Sequence, residues 1–181
     1  MENKNFNIII SGVGGQGLIT LVQIINEAAF IEGYDVKSSE LHGLSQRGGS
    51  VLTYIRFGKK IYSPLVENGK ANLIIGMEET EGLRVLNFGN KNTGILINRY
   101  FAPIPGGLPQ EEVVKKLQEF AGKNLYLVKA SDPANVYLLG YAINKKLMPL
   151  KAESILAAIK NVIPEKFLDL NIKALELANH D

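Results

Sequence analysis

The chain has 181 residues, 46% of them apolar, enough for one folding unit spanning 1–181 with a full-sized core and little room for a second. Lysine and arginine total 20 against 18 acidic residues, and the net charge of +2 predicts neither a nucleic-acid surface nor a polybasic membrane patch, which leaves a protein or a small molecule as the expected partner. Without any cysteine the chain has no disulfide, no thiolate nucleophile and none of the usual ligands of an iron–sulfur cluster, so redox chemistry needs a cofactor held elsewhere.

The first seven residues lack the charged-then-apolar layout of a signal peptide, and no apolar run reaches the roughly 20 residues of a membrane helix. The expected location is therefore the cytoplasm. The run Phe6 to Ser11 is short, apolar and ends at a glycine, as a central strand buried on both faces should. From Leu18 the residues Leu21, Val22, Ile24, Ile25, Ala28 and Ala29 recur at helical spacing until Gly33 stops the helix. A strand is expected at Asp35 to Glu40, giving a strand-helix-strand opening. A polar, glycine-rich loop from Leu41 to Gly49 then leads into Ser50 to Arg56, whose β-branched and aromatic content predicts another strand.

Phe57-Gly58-Lys59-Lys60 reads as a turn, with Ile61-Tyr62 as a returning antiparallel strand. Strands are expected at Ala71 to Ile75, Gly94 to Asn98 and Asn124 to Lys129, with helices at Glu79 to Leu86 and Glu111 to Phe120 between them. Three helices close the chain at Asp132 to Lys145, Lys151 to Ile163 and Glu165 to Ala178, with Pro149 and Pro164 marking their boundaries. The expected fold is α/β: a Rossmann-like three-layer arrangement with a mostly parallel, partly mixed central sheet. The proline and glycine cluster Pro103 to Pro109 is the expected mobile or partner-facing loop.

Gly12-Val13-Gly14-Gly15-Gln16-Gly17 contains the spacing G-x-G-x-x-G after a strand and before a helix. Gly12 would permit a tight turn, Gly14 would let backbone approach a ligand, and Gly17 would let the helix sit close to the sheet. Free amides at the helix start, backed by the positive end of its dipole, favour a phosphate or carboxylate. Three readings stay open: an anion site that does not use a nicotinamide, a nicotinamide or flavin site with Glu40 as the ribose-binding acid, and a purely architectural turn. The polar character of Val36-Lys37-Ser38-Ser39 argues against the second, because that strand is normally buried and apolar in dinucleotide-binding domains.

A second motif, His42-Gly43-Leu44-Ser45-Gln46-Arg47-Gly48-Gly49-Ser50, surrounds flexible backbone with hydroxyl, amide and guanidinium groups. Arg47 can bind phosphate or carboxylate through its planar fork, or serve as a salt-bridge or subunit-contact arginine. His42 is a structural hydrogen-bonder or a site residue; the other histidine, His180, is penultimate, so no histidine-based metal site is expected. Glu78, Glu79 and Glu81 are read as complementing a helix dipole and not as an acid–base pair or magnesium site. The tyrosines, Tyr62 and Tyr100 among them, are read as half-buried packing and not as a stacking platform.

Taken together, Gly12 to Gly17 and Glu40 to Val51 resemble the gamma-type subunit of 2-oxoacid:ferredoxin oxidoreductases, and the form with a histidine at position 42 looks most like the indolepyruvate branch of that family. The likeness continues through Gly76 to Arg84 and, more weakly, through Asn135 to Gly140 and the last helix around Asn171. Gly82 stands where the family tends to have alanine. The resemblance implies that a larger partner subunit holds thiamine diphosphate and iron–sulfur clusters, decarboxylates the 2-oxoacid and passes electrons to ferredoxin. This chain, with no catalytic residue, metal or cofactor of its own, would border the active site and help to handle coenzyme A. The residues implied are Gly12, Gly14, Gly15, Gln16 and Gly17 from the first motif and Ser45, Gln46, Arg47, Gly48 and Gly49 from the second. The remaining alternative is a free-standing nicotinamide- or flavin-binding oxidoreductase.

Overall fold

The computed structural model describes residues 5–42 and 48–178. Its elements run β1 (Phe6–Val13), α1 (Leu18–Ile31), β2 (Asp35–His42), β3 (Ser50–Gly58), β4 (Leu73–Gly76), α2 (Glu79–Arg84), β5 (Gly94–Asn98), α3 (Gln110–Ala121), β6 (Leu125–Val128), α4 (Ala134–Asn144), α5 (Ala152–Val162) and α6 (Leu168–Leu177). One six-stranded sheet has the order β2-β3-β1-β4-β5-β6. Pairing is parallel from β1 through β4 and β5 to β6, and antiparallel where β3 joins β1 and β2.

Strand alternation sorts the apolar residues onto two faces. Ile8, Ile10, Leu73, Ile75 and Leu96 point toward α1, α4, α5 and α6, whereas Ile9, Ile74, Ile95 and Ile97 point toward α3 and the segment after α2. This gives the three layers expected of an α/β fold. Burial on both sides explains why the central strands are continuous apolar runs, and both middle strands of the parallel half lie within them.

Three expectations are corrected. Ile61-Tyr62 forms no strand; the antiparallel member is β3 itself, which enters between β1 and β2 and runs on to Gly58. Ile61 is instead pinned as loop, its N–H donating to the Asp35 carboxylate at 2.7 Å. The helix expected from Glu165 begins as a 3-10 turn at Glu165–Phe167 and becomes α-helical only at Leu168, and the one expected over Glu79 to Leu86 ends at Arg84, followed by a 3-10 turn at Leu86–Phe88. Because β3 takes the place beside β1, β2 lies at the edge of the sheet, where half its residues are exposed. Its polar composition follows from that position.

Candidate functional site

β1 and β4 are parallel neighbours, yet the chain leaves β1 toward one face, into α1, and leaves β4 toward the other, into α2. Such a reversal opens a crevice beyond the carboxyl ends of the strands, the usual ligand position in open α/β sheets. A cleft of about 480 Å³ lies there. Gly15, Gln16 and Gly17 form one wall, Asn98 and Tyr100 rise from the end of β5, and Ala134 and Asn135 begin α4 on the far side.

The first glycine motif is partly tied up by the chain itself. Gly14 donates its N–H to the Gly49 carbonyl at 2.9 Å, and the Gln16 N–H turns back onto the Val13 carbonyl at 3.2 Å. The Gln16 side chain stitches the loop further: its Oε1 accepts the Val13 N–H at 2.8 Å while Nε2 reaches the Met77 carbonyl at 3.5 Å. Gly15 and Gly17 have no acceptor for their N–H groups among the described residues, and no side chain caps α1. The open amides at the cleft are therefore those of Gly15, Gly17 and the first turn of α1.

The glycines also divide their work differently from the expectation. Gly12 lies inside β1, where a Cβ would come within 2.7 Å of Gln16 Oε1 and 2.9 Å of Met77 Cβ, so it serves close packing and not a turn. Gly15 has φ +101 with open space around it and is the place where backbone can meet a ligand. At Gly17, φ is +75 and a Cβ would stand 2.6 Å from Asn135 Nδ2. The close neighbour is thus α4 and not the sheet: Asn135 Nδ2 donates to the Gly17 carbonyl at 3.0 Å, and its Oδ1 accepts the Val136 N–H at 2.9 Å. One buried amide side chain holds the starts of two helices on the same cleft, so two positive dipole ends converge there.

The second motif meets the first at this corner. Antiparallel pairing sets Ser50 opposite Val13 and Val51 opposite Gly12, which brings Gly48 and Gly49 beside the first loop. Ser45, Gln46 and Arg47 lie outside the described residues. His42 is exposed, and its Nε2 lies 3.1 Å from Glu40 Oε2. Glu40 pairs with Thr53 on β3, which pairs with Ile10 on β1. That places Glu40 two strand spacings, about 9.6 Å, from the strand that carries the first loop, beyond the neighbouring-strand position a ribose-binding acid takes.

The acidic segment is structural and holds the rim of the cleft. Glu78 caps α2 by accepting the Glu81 N–H at 2.8 Å and also accepts the Ala102 N–H at 3.0 Å. Gln110 Nε2 donates to Glu79 Oε1 at 3.1 Å, and the Ser50 hydroxyl donates to Glu81, whose other oxygen pairs with Arg84 at 3.3 Å. The residues from Pro103 to Pro109 are exposed between the Ala102 and Gln110 tethers. Two tyrosines depart from the packing role expected of them: Tyr62 is 86% exposed, and Tyr100 is 51% exposed on the cleft wall. Beside Tyr100, Arg99 and Lys129 follow β5 and β6 as exposed cations without an ion pair among the described residues. Asn98, Tyr100 and Asp132 line the cleft and were not among the site residues expected, although the rule that ligands meet the carboxyl ends of parallel strands points to the positions at and following the ends of β5 and β6.

The family model for pyruvate ferredoxin/flavodoxin oxidoreductase matches residues 7–180. The chain belongs to this family. Indolepyruvate oxidoreductase subunit IorB of Pyrococcus horikoshii is 38% identical, with 96% of this chain and 94% of that protein aligned. The pyruvate/ketoisovalerate oxidoreductases common subunit gamma of Pyrococcus abyssi is 32% identical over 90% of this chain and 89% of its own. Among solved structures, pyruvate oxidoreductase subunit PORC from Thermotoga maritima has the same fold, with a TM-score of 0.72 at 21% identity, covering 98% of this chain and 97% of its own. A 2-oxoglutarate:ferredoxin oxidoreductase from Magnetococcus marinus, solved with 2-oxoglutarate, coenzyme A and succinyl-CoA bound, shares the fold over 99% of this chain and 31% of its own, with a TM-score of 0.69 at 15% identity. The family match thus extends over residues 7–180, and among the described residues no helix is long and apolar enough to cross a membrane.

Proposed function

We propose that the chain, acting as one domain over 1–181, is the gamma-type subunit of a cytoplasmic 2-oxoacid:ferredoxin oxidoreductase and that its switch-point cleft faces the coenzyme A end of the active site. The larger partner subunit would contribute thiamine diphosphate and iron–sulfur clusters, which supply the carbanion and electron chemistry of oxidative decarboxylation on the way to an acyl-CoA and reduced ferredoxin. This chain, with no cysteine, supplies binding and orientation.

The observation that carries the reading is that Gly49 and Ser50 of the second motif lie against the loop of the first, whose Gly15, Gln16 and Gly17 line a cleft onto which two helix N-termini open. Unpaired amides at Gly15 and Gly17, with two dipole ends behind them, favour the negative charge of a diphosphate. Gly12, Gly14 and Gln16 shape that loop from behind, and Ser45, Gln46, Arg47, Gly48 and Gly49 of the second motif are proposed as further ligand-binding residues. The greater identity to IorB than to the common gamma subunit, together with His42, favours an arylpyruvate such as indolepyruvate as the oxoacid.

Co-expression with a thiamine- and cluster-bearing subunit tests the reading. A stable complex that reduces ferredoxin with an arylpyruvate only when coenzyme A is present is the expected result, and failure to associate removes the proposal. Within an active complex, Arg47→Ala should raise the KM for coenzyme A about tenfold by removing a bidentate, charge-assisted contact. An unchanged KM removes Arg47 from the site.

A further inference from the structure

We infer that Glu81 is a positioning residue for the end of the second glycine motif, Gly48 to Ser50, acting through the Ser50 hydroxyl. Among the three buried acidic residues around α2, Glu78 and Glu79 hold one loop, at Ala102 and Gln110. Glu81 alone reaches toward the glycine motifs. Its carboxylate accepts from Ser50, the first residue of β3, across 31 residues of chain. Ser50 stands opposite Val13, and the preceding residue, Gly49, accepts the Gly14 N–H at 2.9 Å. One carboxylate therefore fixes the point at which the second motif enters the sheet, directly beside the first.

The chemistry suits a clamp better than a simple cap. Glu81 is 4% exposed, and a buried carboxylate needs partners for both oxygens. Arg84 takes one from the solvent side at 3.3 Å and Ser50 takes the other, so neither oxygen is left over and the hydroxyl has one direction to point. A charge-assisted bond of this kind is stronger than a neutral one, and the glycines at 48 and 49 give the chain before Ser50 little stiffness of its own. The carboxylate therefore supplies an order that the glycine backbone lacks.

This inference rests on the proposed function only for its link to coenzyme A, and two measurements keep the parts separate. In the full chain, tryptic cleavage at the Arg47–Gly48 bond, followed by mass spectrometry, should accelerate about tenfold in Ser50→Ala, as expected for loss of one charge-assisted bond, and by less in Glu81→Gln, whose amide oxygen still accepts the hydroxyl as a neutral bond. The double variant should be no faster than Ser50→Ala alone, and Ser50→Thr, which keeps the hydroxyl, should restore the slow rate. In the complex, Ser50→Ala should raise the KM for coenzyme A about tenfold with kcat held, whereas a merely structural lesion lowers activity through the folded fraction. Unchanged cleavage in Ser50→Ala, effects that multiply in the double variant, or no rescue by threonine each overturn the clamp, and the serine variants decide the matter even if Glu81→Gln does not fold. Faster cleavage with an unchanged KM upholds the clamp and overturns the coenzyme A assignment.

Discussion

The two faces of the sheet both bury an apolar cluster, but among the described residues only one of them adds buried carboxylates to it. On one side α1, α4, α5 and α6 cover the strands with aliphatic side chains, among them the fully buried Ile24, Leu138 and Leu139. On the other, α2 has only six residues and brings Glu78, Glu79 and Glu81 into the interior, where their oxygens hold Ala102, Gln110 and Ser50. The first face buys stability by removing apolar surface from water. The second buries a cluster of its own, Ile9, Ile74, Ile95, Ile97, Val113 and Leu117 among it, and adds hydrogen bonds of modest net worth that place segments around a cleft. A helix too short to form alone does this because its acidic residues are tied to the surrounding chain and not only to its own dipole.

Core deletion on the first face should have the largest effect. Leu139→Ala on α4 is expected to cost about 3 kcal/mol in urea unfolding, the usual result of leaving a cavity at a fully buried leucine. Complex that is assembled from the folded fraction should keep its KM for coenzyme A. Glu78→Ala comes next, at about 2 kcal/mol, since it removes the α2 cap and leaves the buried Glu81 N–H without its acceptor. Unlike the leucine change, it should also speed hydrogen exchange at the Ala102 amide, which donates to Glu78 at 3.0 Å. Equal exchange at that amide in both variants would erase the distinction between the faces.

Gly82 gives a finer test. Alanine is the better helix former by about 1 kcal/mol, yet a Cβ at this position would run into Ile97 Cδ1, and the neighbouring Gly76 is bare for the same reason. Gly82→Ala should therefore destabilise by about 1 kcal/mol net, and Ile97→Val, which removes the obstructing methyl, should bring the double variant back near wild type. Additive losses in that pair would mean that the close approach of α2 to β5 does not govern the choice of glycine.

The parts of this design that are local in sequence were legible, and those set by strand order were not. The strand expected over Gly94 to Asn98 matches β5 residue for residue, because a short apolar run between turn residues has few alternatives. The first glycine motif is legible from its spacing between a strand and a helix, and the second from its cluster of hydroxyl, amide and guanidinium groups around glycines. Nothing in Ser50 to Arg56 says which strand it will adjoin, so the insertion of β3 between β1 and β2 could not be read, and with it went the real reason for the polar β2. Gly17 was assigned to helix–sheet packing because its actual neighbour, Asn135, lies 118 residues away. Tyr100 was taken as packing because an aromatic residue just past a strand looks alike whether it turns inward or lines a cleft.

Tyr100 carries the smallest expected effect on stability and the sharpest contrast. Its ring is 51% exposed on the cleft wall, so Tyr100→Ala removes little buried surface and should change unfolding free energy by no more than about 0.5 kcal/mol. If the cleft takes the nucleotide end of coenzyme A, an exposed aromatic ring beside the cations Arg99 and Lys129 is placed to stack on a base, and its loss should weaken coenzyme A binding to the complex by about tenfold, the lower part of the range for one base–aromatic contact. A variant whose stability falls while its KM for coenzyme A stays put would put Tyr100 back with the packing residues. Stability held with KM raised would show a residue retained for the ligand alone, at the strand ends where the cleft opens and outside both apolar clusters.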